Sequence, residues 1–167
     1  YLPGVDYILP DYSYLVENSE KVKALVITHG HEDHIGGIPF LLKSINVPCI
    51  YAPKLAAAFI RNKLEENKID RKSKIIEIDD NSNFKVDCFL FSFFNTTHSI
   101  PDSLGIIVDT PNGKIVEMGD FKVDLTPVGK DMDLLKIAKL GEENVTLLMS
   151  DSTNIEVPGI TLSEKAV

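Results

Sequence analysis

Three of the four histidines in this chain lie within six residues, in the run Thr28-His29-Gly30-His31-Glu32-Asp33-His34-Ile35-Gly36-Gly37. No other feature constrains the fold as strongly. The run directly follows 23–28, an apolar stretch, β-branched in its second half, that predicts a buried strand. Imidazole is the commonest transition-metal ligand, and carboxylate suits the same borderline cations. Alternating histidine and aspartate straight after such a strand predict a metal-binding loop, not a chance His-rich turn on the surface. His29 and His31 leave the loop one way, while Asp33 and His34 enter at the start of the next helix. The two pairs can then serve two neighbouring ions.

The rest of the chain alternates helix and strand signals. A short helix is predicted over 36–42 and a strand over 49–51. A longer helix follows from Lys54 to about Asn67, with Pro53 in its first turn and Leu55, Phe59, Ile60 and Leu64 on one face. The other face carries Arg61, Lys63, Lys68, Arg71 and Lys72 and reads as a solvated surface. Strands are predicted over 73–78, 84–94, 105–109 and 114–118, with Pro111-Asn112-Gly113 as a hairpin turn between the last two. A helix over 134–140 should end at Gly141, before a last buried strand over 145–149. The class is α/β with a mixed sheet.

Two further candidate ligands follow predicted strand ends, the usual place for sites in α/β sheets. His98, the remaining histidine, comes after Phe93-Phe94 and Asn95-Thr96-Thr97; beside a metal loop it becomes the natural third imidazole. Asp120, in Gly119-Asp120-Phe121-Lys122, is a weak signal alone, but a carboxylate can bridge two cations roughly 3.5–4 Å apart. Ser150-Asp151-Ser152-Thr153-Asn154 reads from spacing as an ordinary polar junction. Asn95 and Asn144 fit the glycosylation pattern, which is discounted because no secretory signal is present.

The 167 residues suffice for one domain with a core, and no stretch reaches the ~18 apolar residues of a membrane span. With 17 Lys+Arg against 25 Asp+Glu, the net charge of −8 excludes binding of polyanions by bulk charge; a nucleic-acid partner needs local basic patches or metal cations. Cys49 and Cys88, without partner spacing, exclude a disulfide scaffold and a cysteine-based zinc site, and fit a reducing cytosol. Thr161-Leu162-Ser163-Glu164 has the form of a capping box, so a helix is expected to begin there. The chain therefore reads as a fragment lacking residues at both ends.

The loop from Thr28 to Gly37 resembles the signature of the metallo-β-lactamase fold, in which two zinc ions sit between two αββα halves. The flanks narrow the likeness. Pro10-Asp11-Tyr12-Ser13-Tyr14-Leu15, Tyr51-Ala52-Pro53-Lys54-Leu55, Thr97-His98-Ser99-Ile100-Pro101-Asp102-Ser103, Gly119-Asp120-Phe121-Lys122 and Asp124-Leu125-Thr126-Pro127 are similar to the ribonuclease J group of the β-CASP family. The resemblance implies metallo-β-lactamase-type mixed sheets flanked by helices, part of an αββα sandwich. It implies a metal-dependent ribonuclease, acting as 5′-to-3′ exonuclease, endonuclease or both, with RNA as partner. It also implies a cytoplasmic location and a homo-oligomer of the full-length protein.

By this resemblance His29, His31 and His98 hold one zinc, Asp33 and His34 the other, and Asp120 bridges. Asp151 falls at the motif A acid, so Asp33, Asp120 and Asp151 are the expected catalytic carboxylates. Ser99 and Ser103 are candidate RNA contacts. Residues 1–167 would be a lactamase-domain fragment, truncated at both ends and stopping where the inserted β-CASP domain begins. It would lack the final zinc histidine and be inactive alone. The alternatives are another β-CASP nuclease, a small-molecule hydrolase of the same fold, or a metal-binding scaffold without activity.

Overall fold

In the computed structural model, which describes residues 3–70 and 73–166, the His-rich run begins where a parallel sheet ends. That sheet has three strands, β1 (Ala24–Val26), β2 (Cys49–Pro53) and β3 (Lys74–Ile78), in the order β1-β2-β3. After a short helix α1 (Ser13–Glu17) near the start of the chain, the helices α2 (Glu32–Ile35), α3 (Ile38–Ser44) and α4 (Lys54–Glu66) connect these strands. The second sheet runs β4 (Asn83–Val86), β5 (Phe89–Asn95), β6 (Leu104–Thr110), β7 (Gly113–Glu117) and β8 (Val145–Met149). Its neighbours are antiparallel except β7 and β8, which are parallel and joined through α5 (Leu134–Glu142).

Three apolar clusters stack these elements into layers. Ile50 and Ala52 of β2 pack with Leu41 of α3 and with Ala57, Ile60 and Leu64 of α4. Between the sheets, Val26, Tyr51 and Ile78 meet Phe84, Phe93 and Ile106, and the Tyr51 and Phe84 rings stack at 3.7 Å between centroids. On the far side, Phe94, Ile107 and Val116 pack against Ile137 and Leu140 of α5. The order is therefore helix, sheet, sheet, helix. Each sheet buries both faces through its central strands, which is how an αββα arrangement excludes water from so short a chain. Gly105 sits where a Cβ would overlap the Phe94 ring, so only glycine allows β6 this close to it.

Several local expectations differ from this structure. The stretch 84–94 is a hairpin, not one strand: Asp87 takes a φ of +50° and turns the chain at Asp87-Cys88. The helix predicted over 36–42 forms as α3 from Ile38 to Ser44, and Gly36-Gly37 part it from the separate short helix α2 that carries Asp33 and His34. Pro53 ends β2 and stands at the N-cap of α4. The buried face of α4 is Ala56, Ala57, Ile60 and Leu64; Phe59 is exposed and Leu55 only half-buried, because small residues let the helix lie close to the sheet. Helix α5 runs past Gly141 to Glu142.

Strand β8 forms as expected but is exposed, with one edge unpaired among the described residues. Near residue 164 there is a 3-10 turn whose amide at Lys165 is capped by Ser163, not Thr161, and Glu164 pairs with Lys122 instead of closing a capping box. Cys49 and Cys88 are free thiols, and Cys88 is exposed in the hairpin turn.

Candidate metal centre

Thr28 leaves β1 and crosses to the second sheet, where its carbonyl accepts from the amide of Leu104 at 3.0 Å. The next side chain, His29, is 1% exposed. Its Nδ1 lies 3.0 Å from Thr28 Oγ1, which fixes the ring and leaves Nε2 directed elsewhere. His31 holds the N-cap position of α2 in an extended conformation and makes no side-chain cap, so its ring is free to turn inward. His98 arrives from the end of β5 and brings Nε2 within 3.0 Å of His31 Nδ1. Asp120 arrives from the end of β7, with its oxygens 3.3 Å from His34 Nε2 and 3.7 Å from His98 Nε2. His34 Nε2 also lies 3.6 Å from Asp33.

The three loops are stitched to one another. The Lys122 amide donates to the Thr97 carbonyl at 2.9 Å, and the Thr97 hydroxyl returns a bond to the Lys122 carbonyl. Gly119 takes a φ of +62°, and a Cβ there would lie 3.0 Å from Thr28 Cβ, so the turn before Asp120 needs glycine for both conformation and space. Sequence reading missed Thr28, Thr97 and Gly119 as site residues. Nothing in their spacing marks them, since the contacts that tie the loops together, Gly119 against Thr28 and Thr97 with Lys122, exist only once the chain is folded.

Two ligand sets result, His29, His31, His98 and Asp120, and Asp33, His34 and Asp120, each with donor atoms within 4.8 Å of one another. Burial first, then the neighbouring His34 and His98, lowers the His29 pKa to about 4. Burial, followed by His31, lowers that of His98 as well. Both rings are therefore neutral near pH 7 and offer lone pairs. His29 Nε2 is buried without a hydrogen-bond partner among the described residues. A buried polar atom is rarely left so; a cation among these donors supplies the missing partner, and the donor set fits a metal ion.

All six predicted ligands come together. Asp151 follows β8 and shares a cleft wall with His34 and Asp120, its carboxylate held by the Thr153 amide and hydroxyl at 3.0 and 2.6 Å. Those bonds hold its pKa below the usual carboxylate range. Ser99 is exposed beside His98, whereas Ser103 differs from expectation: it is 2% exposed, and its hydroxyl donates to the Ile100 carbonyl. Asn95 is buried, its amide donating to the carbonyls of Lys130 and Asp131. Arg61 pairs with Glu77 at 2.8 Å and Lys63 with Glu32 at 2.6 Å, so the basic face of α4 is partly neutralised; Arg71 and Lys72 lie outside the described residues.

An αββα fold with a His/Asp metal cluster on one rim defines a class, and the chain belongs to it: the metallo-β-lactamase superfamily, whose model matches residues 3–128. Within that class the chain is similar throughout its length to proteins named ribonuclease J. It is 58% identical over 166 residues to Ribonuclease J 1 of Streptococcus pyogenes, covering 99% of this chain and 30% of that protein. It is 50% identical over 166 residues to Ribonuclease J of Mycoplasma pneumoniae, covering 99% and 29%. The chain thus spans about 30% of the length of these relatives. Zn(2+)-bound PqqB from Methylobacterium extorquens shares the fold at a TM-score of 0.58 and 17% identity, over 83% of this chain and 48% of that one. Among the described residues, no helix is long and apolar enough to cross a membrane.

Proposed function

We propose that this chain is the metal-binding part of a metal-dependent ribonuclease that hydrolyses RNA phosphodiester bonds, as exonuclease, endonuclease or both. The observation that carries the reading is the unpartnered Nε2 of buried His29 among further imidazoles and Asp120, in a chain 58% identical to a protein named ribonuclease J. His29, His31 and His98 would hold one zinc ion, Asp33 and His34 a second, with Asp120 shared. Divalent cations in this position supply an acidified water and offset the charge of a phosphate. Around them, burial keeps His29 and His98 unprotonated, and Thr28 fixes the His29 ring.

Asp151, ionised and held by Thr153 on the same rim, would orient a proton donor toward the leaving oxygen. Ser99 is the exposed serine that can meet RNA. A −8 chain can serve RNA in this way because the positive charge is concentrated at the metals. Two free cysteines fit a cytoplasmic setting. The test is His31→Ala in the full-length protein: RNA cleavage should be lost while far-UV circular dichroism is unchanged. Cleavage at the wild-type rate refutes the assignment.

A further inference from the structure

Helix α2 carries Asp33 and His34, two of the three ligands of the second set, on only four residues. A single turn of helix does not hold its own shape in water, so its direction comes from what it touches. At its C-terminal end Ile35 is buried in the cluster on the helix side of the first sheet. At its N-terminal end stands Glu32, whose two carboxylate oxygens meet Lys63 Nζ of α4 at 2.7 and 2.6 Å. We propose that Lys63 is a positioning residue for the second metal ion: through Glu32 it fixes the direction of α2, and so aims Asp33 and His34 at the position they share with Asp120. The inference rests on the two-ion reading above.

Helix α4 is the bed on which the His-rich loop lies. Gly30 approaches it so closely that a Cβ would sit 3.2 Å from Ala56 Cα and from the Phe59 ring. Ala57, Ile60 and Leu64 of the same helix are buried in the core. Lys63 is therefore mounted on an element that packing already fixes, and its side chain is only 24% exposed. Glu32 is exposed, but its side chain folds back over its own turn: a Cβ on Gly36 would lie 2.5 Å from Glu32 Oε1. Glycine at 36 leaves the space in which the carboxylate reaches Lys63.

The two ligand sets differ in what holds them. Thr28 ties the buried His29 ring, and the bonds between Thr97 and Lys122 tie the loops of His98 and Asp120. None of those bonds reaches Asp33, whose side chain is 76% exposed and cannot be fixed by packing. An ion pair at the surface adds little to folding stability, so the worth of this one lies in orientation. Lys63 also brings a positive charge toward a cation site. By charge alone its removal strengthens cation binding, whereas by positioning its removal weakens it. The two accounts differ in sign.

The test titrates chelator-stripped full-length protein with zinc in competition with a chromophoric chelator. His31→Ala and His34→Ala identify which binding step belongs to which ligand set. Lys63→Met keeps the aliphatic stem and removes the charge, and Glu32→Gln keeps the shape of the carboxylate. Each should weaken the His34-dependent step about tenfold, the lower end of what partners behind metal ligands contribute, and move the other step less than about twofold. The double variant should bind no more weakly than either single one. Lys63→Arg, whose fork can meet both oxygens, should restore binding to within about twofold. Urea midpoints of the metal-free variants should stay at the wild-type value. Unchanged or tighter binding at the His34-dependent step in Lys63→Met overturns the proposal, and so does equal weakening of both steps. A single zinc step in the wild type removes the two-ion reading and the proposal with it. The expected losses in a protein that cleaves no RNA leave the proposal standing and remove the ribonuclease reading.

Discussion

His29 makes the metal-free protein sensitive to acid in a predictable window. Its ring is fully buried beside His34 and His98, and burial first, then those neighbours, brings its pKa to about 4 against an ordinary value of 6.5. Between these two values the unfolded chain carries a proton on His29 that the folded chain refuses. The unfolded state binds more protons, so stability rises with pH across the window and is lost as pH falls through it. At about 1.4 kcal/mol per pH unit, the full effect is on the order of 3 kcal/mol. His98 is lowered in the same direction and adds to it. The carboxylates Asp79, Asp124 and Asp151, held below their ordinary 3.8 by hydrogen bonds, lose their contribution only at more acid pH. Urea unfolding of chelator-stripped protein, followed by circular dichroism from pH 8 to 4.5, should show a midpoint that falls most steeply below 6.5. His29→Gln should remove most of that slope. A flat profile, or an equal slope in His29→Gln, refutes the argument.

Two further outcomes follow from packing around the same centre. Thr28→Val keeps the shape of the buried side chain but removes the Oγ1 that fixes His29 Nδ1, and should weaken metal binding about 10–100-fold, read by competition with a chromophoric chelator; unchanged affinity would show that Thr28 does not orient the ring. Gly105→Val drives a side chain into the fully buried Phe94 ring and should destabilise the fold by about 1–3 kcal/mol or more in urea titrations, whereas wild-type stability would mean that β6 and Phe94 are not packed as described.

What the sequence disclosed about the fold tracks how local each cause is. The hairpin at Pro111-Asn112-Gly113 was legible because its turn chemistry lies in the turn itself, and Gly113 takes a φ of +128°. The hairpin at Asp87-Cys88 was not, because it lacks glycine and an aspartate takes the left-handed conformation instead. Strand β8 was legible as a strand from Val145-Thr146-Leu147-Leu148-Met149, but its exposure was not. Whether a run of apolar residues is covered depends on which elements lie over it, and the run itself carries no record of that. The basic face of α4 follows the same rule: its charge was readable, its ion pairs with Glu32 and Glu77 were not.

The site was legible in its residues and illegible in its assembly, and the reason is one of strand direction. In an antiparallel meander, strands two apart run the same way, so the chain leaves β5 and β7 at one rim and places His98 and Asp120 there together. The amide of Leu104, at the start of β6 on that rim, takes the Thr28 carbonyl and thereby brings the end of β1 and the His-rich loop to the same place. The crossover through α5 then makes β8 parallel to β7, and Asp151 emerges beside His34 and Asp120. Had β8 returned as another antiparallel hairpin, Asp151 would leave the sheet at the opposite end of a five-residue strand, about 17 Å away. A carboxylate there would lie out of reach of the candidate metal centre. The helical crossover between two short strands is therefore what turns an ordinary polar junction after β8 into part of the candidate centre.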